Sequence, residues 1–212
     1  MEQHPPLRLC TAYMPPLDYF ASLLKEETFE VDTAETYRKQ TFRNRTLIVT
    51  SQGVQMLSVP CIKTKGNHTP VEEVEIDNRK KWQRHHWRSI CTAYNKSPFF
   101  LYYRDELEAV LHCSRQTLPE LNNALTDFFI AKLKLPVRRL LASDRLEAQR
   151  LPEGGGYVPP LDFTPKTPPL YRFDTYLQTF LSAVPLGHVS VLDLLFNTGP
   201  EASLILASAS PL

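Results

Sequence analysis

No stretch of this chain approaches the ~18 consecutive apolar residues that a membrane-spanning helix needs, so no bilayer span is expected. Its four cysteines, Cys10, Cys61, Cys91 and Cys113, stand far apart and form neither a CxxC pair nor a zinc-type spacing. Reduced thiols in a cytoplasmic compartment are therefore expected. A secretory signal is not, because Met1 to Arg8 is polar and proline-rich. Glycine is scarce, seven residues in 212, and three of the seven stand together at Gly154-Gly155-Gly156 with no Lys-Ser/Thr pair behind them. The dinucleotide, P-loop and nucleophile-elbow signatures are all missing, which disfavours a conventional dinucleotide enzyme, a P-loop ATPase and an α/β-hydrolase. Charge of one sign is also lacking. With 24 Lys/Arg against 23 Asp/Glu, the net charge of +1 gives no global reason to expect nucleic acid as a partner.

What is present is uneven. Between Asn78 and Tyr103 the cations meet no acid, whereas from Leu151 to Leu212 five acids face two bases. The periodicities predict an α/β fold with a strand–helix–strand opening, a mixed sheet and a helical middle, and a long Pro/Gly-rich loop before C-terminal helices. Leu7 to Tyr13 reads as a strand, Pro16 to Lys25 as an amphipathic helix and Thr28 to Thr33 as a second strand. Thr46 to Thr50 and Val54 to Pro60 read as a hairpin turning at Ser51-Gln52-Gly53, and Val71 to Ile76 as a further strand. Trp82 to Tyr94, Phe100 to Leu111 and Thr117 to Leu133 read as helices, the last with a Thr117/Glu120 capping box. Val137 to Ala142 suits a strand. Gly154 to Pro169 is too long for an ordinary connection, which suggests disorder or a binding lid. Ser190 and Asp193 cap a short helix, Gly199-Pro200 ends it and starts another, and the tail from Ser208 is expected to fray. One domain over 1–212 is expected, with an α/β part at 1–76, a helical part at 77–135 and the remainder at 136–212.

Three segments carry candidate chemistry. The first is Tyr37-Arg38-Lys39-Gln40-Thr41-Phe42-Arg43-Asn44-Arg45, four cations and two aromatics in nine residues without an acid. Guanidinium groups hold phosphates and carboxylates through paired hydrogen bonds, so Arg43 and Arg45, with Lys39, Tyr37 and Asn44, are candidates for an anionic ligand. A solvated edge strand protected by its charges is the plainer account. In the second, Trp82-Gln83-Arg84-His85-His86-Trp87-Arg88 leads into Tyr94-Asn95. Adjacent His85 and His86 diverge by about 100° on a helix and cannot jointly chelate a metal, so no metal site is expected. Either could be a general base, although a histidine beside tryptophans is more commonly a packed structural residue. The third segment, Tyr13-Met14-Pro15-Pro16-Leu17-Asp18-Tyr19-Phe20, lies where an open sheet binds ligands at strand ends, or else forms an aromatic staple.

Four segments resemble the WbqC-like protein family, in its Bacteroidetes-type form. They are Thr11-Ala12-Tyr13-Met14-Pro15-Pro16 with Tyr19-Phe20, the basic segment Tyr37 to Arg45, His86-Trp87-Arg88-Ser89-Ile90 with Ala93 to Phe100, and Val189 to Glu201. Thr11-Ala12 stands where broader members carry Gln-Pro, so no role of that glutamine transfers. The resemblance implies a cytoplasmic protein of surface polysaccharide (O-antigen) biosynthesis, a transferase acting on a nucleotide-linked sugar or its substituent. Arg43, Arg45 and Arg88 would then hold a diphosphate, with Tyr13 or Trp87 stacking on a base or sugar and Asn197 close to the same cleft. A non-catalytic module binding a partner protein or glycan intermediate remains the alternative, and single-stranded nucleic acid fits the charge poorly. No cofactor and no oligomeric state follow from the residues.

Overall fold

The computed structural model describes residues 6–140 and 160–212. β1 (Leu7–Cys10) and β2 (Thr28–Asp32) run parallel, with Leu9 opposite Val31. Alternation explains both strands. Leu9, Phe29 and Val31 turn into the core, while Arg8 on the other face bonds Glu30 and Asp32 at 2.6 and 2.7 Å across the ladder.

Between these strands lies α1 (Leu17–Leu23), and it has no solvent face: all seven residues are buried, contrary to the amphipathic expectation. The reason is tertiary. The Leu17 amide donates to the Val189 carbonyl and the Val191 amide to the Pro15 carbonyl, each at 3.0 Å, so the C-terminal segment closes over the helix start. Just before it, Met14 adopts φ 43°. Its carbonyl accepts the hydroxyls of Thr46 (2.8 Å) and Ser190 (3.0 Å). A non-glycine residue persists in that conformation where several segments hold it.

Residues 37–44 form no strand, so the alternation of side chains expected there does not apply. β3 (Arg45–Thr50) and β4 (Gly53–Ser58) make the expected antiparallel hairpin. β5 (Cys61–Ile62) pairs antiparallel with β6 (Glu75–Ile76). Val71–Glu73, read as strand from its sequence, is a 3-10 turn. Its amides at Val71 and Glu72 are taken by the Glu35 and Thr33 carbonyls, not by a neighbouring ladder.

The helical middle comprises α2 (Trp82–Tyr94), α3 (Phe100–His112) and α4 (Leu118–Lys132). Thr117 and Glu120 form the capping box reciprocally at the start of α4. β7 (Arg138–Arg139) then adds in parallel to β2, giving the sheet order β1-β2-β7. Within the stretch expected as strand, Arg138 and Arg139 pair, while 141–142 lie outside the described residues. Of the Gly154 to Pro169 loop, 154–159 also lie outside them. Leu161, by contrast, bridges β1: its amide donates to Arg8 O (2.8 Å) and its carbonyl accepts from the Cys10 amide (3.1 Å).

β8 (Tyr171–Arg172), α5 (Val191–Thr198), α6 (Ala202–Ala207) and β9 (Ser210–Pro211) complete the chain. The tail expected to fray is instead tied down, because β9 pairs antiparallel with β8 and the Leu212 amide donates to Leu170 O. Ser190 caps α5, and Gly199 ends it at φ 55°. A side chain at 199 would meet the Phe99 ring at 2.5 Å, so glycine is required twice over, by conformation and by space. One hydrophobic cluster reaches from Leu9 to Ala209 and binds these parts together. Among the described residues no helix is long and apolar enough to cross a membrane.

Candidate anion-binding site

The basic segment folds as a turn pinned at both ends. The Tyr13 amide donates to Phe42 O (2.8 Å), the Phe42 amide to Phe163 O (3.3 Å) and the Tyr37 amide to Thr69 O (2.9 Å). Gln40, at φ 63°, supplies the reversal. The four cations consequently meet different surroundings.

Arg43 points inward and is 1% exposed. Its guanidinium bonds Glu35 through Nε (3.0 Å) and Nη2 (2.6 Å), Asp162 through Nη1 (2.8 Å), and Cys10 Sγ through Nη2 (3.0 Å). Burial opposes its charge, but the bonds to Glu35 and the neighbouring Cys10 and Asp162 more than offset that and raise its pKa. The same burial keeps Cys10 protonated, its pKa pushed far up. Arg43 thus joins the segment to Glu35 and to the chain at 162.

Lys39 and Arg45 point the other way. With Tyr37, Asn44, Cys61 and Lys63 they line a cavity of about 310 Å³, and among the described residues no carboxylate belongs to its lining. Arg45 Nε and Asn44 Oδ1 are buried without a hydrogen-bond partner among the described residues. Asn44 is held in place by its Nδ2, which donates to Val59 O at 2.8 Å. Lys63 is steadied by Asn67 Oδ1 at 2.8 Å. Cys61 adds no nucleophile: burial pushes its thiol up to about 12, so it stays protonated near neutral pH. Tyr37 is likewise pushed up by burial and stays a neutral phenol. The cavity therefore offers three cations, an unpaired guanidinium nitrogen and neutral hydrogen-bonding groups, a set suited to a phosphate or carboxylate.

The remaining candidates lie elsewhere. His86 is 3% exposed and shares a 2.8 Å hydrogen bond through Nδ1 with the Tyr13 hydroxyl. Trp82 packs edge-on at 5.2 Å. Burial, and then the charge of His85, lower its pKa to about 4, so it is a neutral member of an aromatic cluster. His85 is exposed, its ring centroid 6.5 Å from that of His86. It lines another, separate cavity with Arg88 and Gln55. Trp87 stacks on Phe100, centroids 6.3 Å apart. Tyr94 and Tyr19 are core residues; Tyr94 accepts the Val49 amide at 3.2 Å, and Tyr19 packs on Phe163. Asn95 is the exposed cap of α2. Asn197 accepts from Thr179 and donates to Asp193 O, beside a further cavity with Tyr176. Arg43, His86 and Asn197 do not share a cleft: Asn197 lines one cavity, and the other two line neither that one nor the basic one.

The structure thus brings together Tyr37, Lys39, Asn44 and Arg45, and adds Cys61 and Lys63, which carried no signal in the sequence. These features define an α/β protein with a cationic cavity at the mouth of a hairpin. Residues 11–153 match the WbqC-like protein family, and the chain belongs to that family. It is also similar to the uncharacterized protein Rv1507c of Mycobacterium tuberculosis, 29% identical over 216 residues that cover 90% of this chain and 92% of that one. No solved structure matches the chain.

Proposed function

We propose that this protein is a transferase-type enzyme of surface polysaccharide (O-antigen) biosynthesis, acting in the cytoplasm on a small anionic, nucleotide-linked substrate. Its phosphates sit in the basic cavity against Lys39, Arg45 and Lys63, with Asn44 and Tyr37 beside them. The observation that carries this reading is a lining that, among the described residues, holds no acid and leaves the buried Arg45 Nε without a partner. A guanidinium nitrogen withdrawn from water without a partner costs free energy, and an anion offsets that cost. Arg43 takes no part in binding, its donors being taken by Glu35, Asp162 and Cys10.

The test is a thermal-shift and titration series with nucleotide-sugars, nucleotides and inorganic phosphate. Each charge-assisted bond contributes about 1.5–3 kcal/mol, so Arg45→Ala weakens the bound nucleotide-sugar about tenfold or more. Equal binding by wild type and Arg45→Ala refutes the site.

A second reading has its own support. Neither Cys61, whose thiol is held neutral, nor the buried His86 offers a reactive base or nucleophile to this cavity. A non-catalytic module that holds a charged glycan intermediate or a partner protein fits that poverty. Saturable binding with no consumption of any donor and acceptor pair favours it.

A further inference from the structure

Across the turn at 38–43 lies a second cavity of about 270 Å³, of different character. The turn separates the two: Gln40 lines the basic cavity, while the Phe42 amide holds Phe163 of the second through its carbonyl. Asp18, Asp162, Thr164, Thr167 and His188 supply its polar lining, and Phe163 with Pro168 supplies an apolar wall. Among the described residues neither lysine nor arginine lines it.

Two of its side chains are left incomplete. Asp18 is 2% exposed and His188 8%. Asp18 Oδ2 accepts the Leu170 amide at 2.8 Å, but Oδ1 has no hydrogen-bond partner among the described residues, and neither has His188 Nε2. The backbone makes room for this carboxylate. A methyl group on Gly187 would lie 2.3 Å from Asp18 Oδ1, so glycine at 187 permits the carboxylate to stand where it does. Buried polar atoms are normally satisfied, and here two that are not, among the described residues, line one cavity.

We propose that this cavity is a second binding site, specific for an uncharged polyhydroxylated ring such as a sugar residue, held by Asp18 Oδ1 and His188 Nε2. A hydroxyl can donate to the carboxylate oxygen, and a neighbouring hydroxyl can accept from or donate to the imidazole nitrogen. Thr164 and Thr167 extend the polar edge, and the ring's C–H face rests on Phe163 and Pro168. Anions are disfavoured because no lysine or arginine among the described residues lines the cavity, and Asp162 is already paired with Arg43. Cations are disfavoured too, since burial raises the Asp18 pKa and favours its uncharged form, despite the opposing pull of the Leu170 amide, His188 and the Tyr171 amide. The site stands on its own geometry and does not depend on what fills the basic cavity.

The test is ligand-observed NMR on the full chain, with methyl glycosides of hexoses and of N-acetylhexosamines as probes, and with the hexose phosphates and methylamine as charged counterparts. His188→Phe keeps a ring and removes both imidazole nitrogens, of which Nε2 has no hydrogen-bond partner among the described residues, so the melting temperature changes little while glycoside affinity falls about tenfold or more. Thr167→Val, at an exposed position, gives a smaller loss, about threefold, with the core untouched. Arg45→Ala leaves glycoside binding as it was. The proposal is overturned if no glycoside binds the wild type, if both His188→Phe and Thr167→Val bind like wild type, or if a charged probe is preferred. It is equally overturned if Arg45→Ala, and not the cavity variants, abolishes binding, because the glycoside then occupies the basic cavity.

Discussion

Replacing Arg43 by methionine tests whether this arginine belongs to the architecture or to a ligand. Methionine roughly keeps the length and the apolar stem but removes every donor. Four contacts disappear, two to Glu35 and one each to Asp162 and Cys10. Glu35 then loses its counter-charge, and Asp162 keeps only the exposed Arg38 at 3.7 Å. Breaking a buried ion pair from one side costs about 3–5 kcal/mol. Glu35 and Asp162 keep 10% and 23% side-chain exposure, so water relieves part of the loss and the lower end, about 3 kcal/mol, is expected. For a chain of this size that corresponds to a fall in melting temperature of about 6–12 °C. Urea denaturation with a two-state check gives the free energy directly, and calorimetry gives the temperature. Arg43→Lys should fall between, since it keeps the charge and loses the fork that spans Glu35. At a temperature where Arg43→Met remains folded, its nucleotide-sugar affinity should match wild type. A stability loss below about 1 kcal/mol, the range of a surface pair, together with lost ligand binding would return Arg43 to the binding site and refute the reasoning.

Two further outcomes follow from perturbed side chains. His86 is held neutral in the fold, its pKa lowered from 6.5 to about 4, so its share of stability is complete above pH 6.5 and is lost as pH falls toward 4. Between pH 7 and pH 5 the loss is about 2 kcal/mol, read as the difference in urea-derived pH slopes between wild type and His86→Phe. Asp18 and Asp193 contribute with opposite sign, because burial raises their pKa values, and the paired comparison removes them. Identical slopes in the two proteins would contradict the neutral, buried assignment. Cysteine alkylation followed by mass spectrometry at mildly alkaline pH should label exposed Cys113 first, with Cys61 and Cys10 labelled slowly until urea unfolds the chain. Early labelling of Cys61 would mean a reactive thiolate in the basic cavity and would favour covalent catalysis there.

The elements most legible in the sequence were those fixed by local physics. Periodicity and the Thr117/Glu120 box set α4, the apolar and aromatic spacing set α2 and α3, and a turn between two β-rich runs set the β3–β4 hairpin. Where the reading departed, a distant segment had taken over the backbone bonds. Glu35 and Thr33 carbonyls captured the amides of the Val71 turn, and Leu170 and β8 captured the supposedly loose tail. The α1 helix lost its polar face because residues 189–191 cover it.

The same division holds for the candidate site. Composition alone located the cluster of cations between Tyr37 and Arg45, since nine residues with four cations and no acid need a counter-charge from somewhere. Which of those cations are already answered was beyond the sequence, because the answering groups, Glu35 and Asp162, are 8 and 119 positions from Arg43 and reach it only through the folded chain. The pairing of Asp18 with His188 and Gly187 is of that kind too, as α1 and the segment before α5 meet only in the tertiary structure. The sequence by itself determined the helices, the hairpin and the charge of the segment, which depend on neighbours within a few residues. Tertiary structure decided which charges stay free and which cavities they line, because Coulomb interaction and desolvation depend on distance in space and not along the chain.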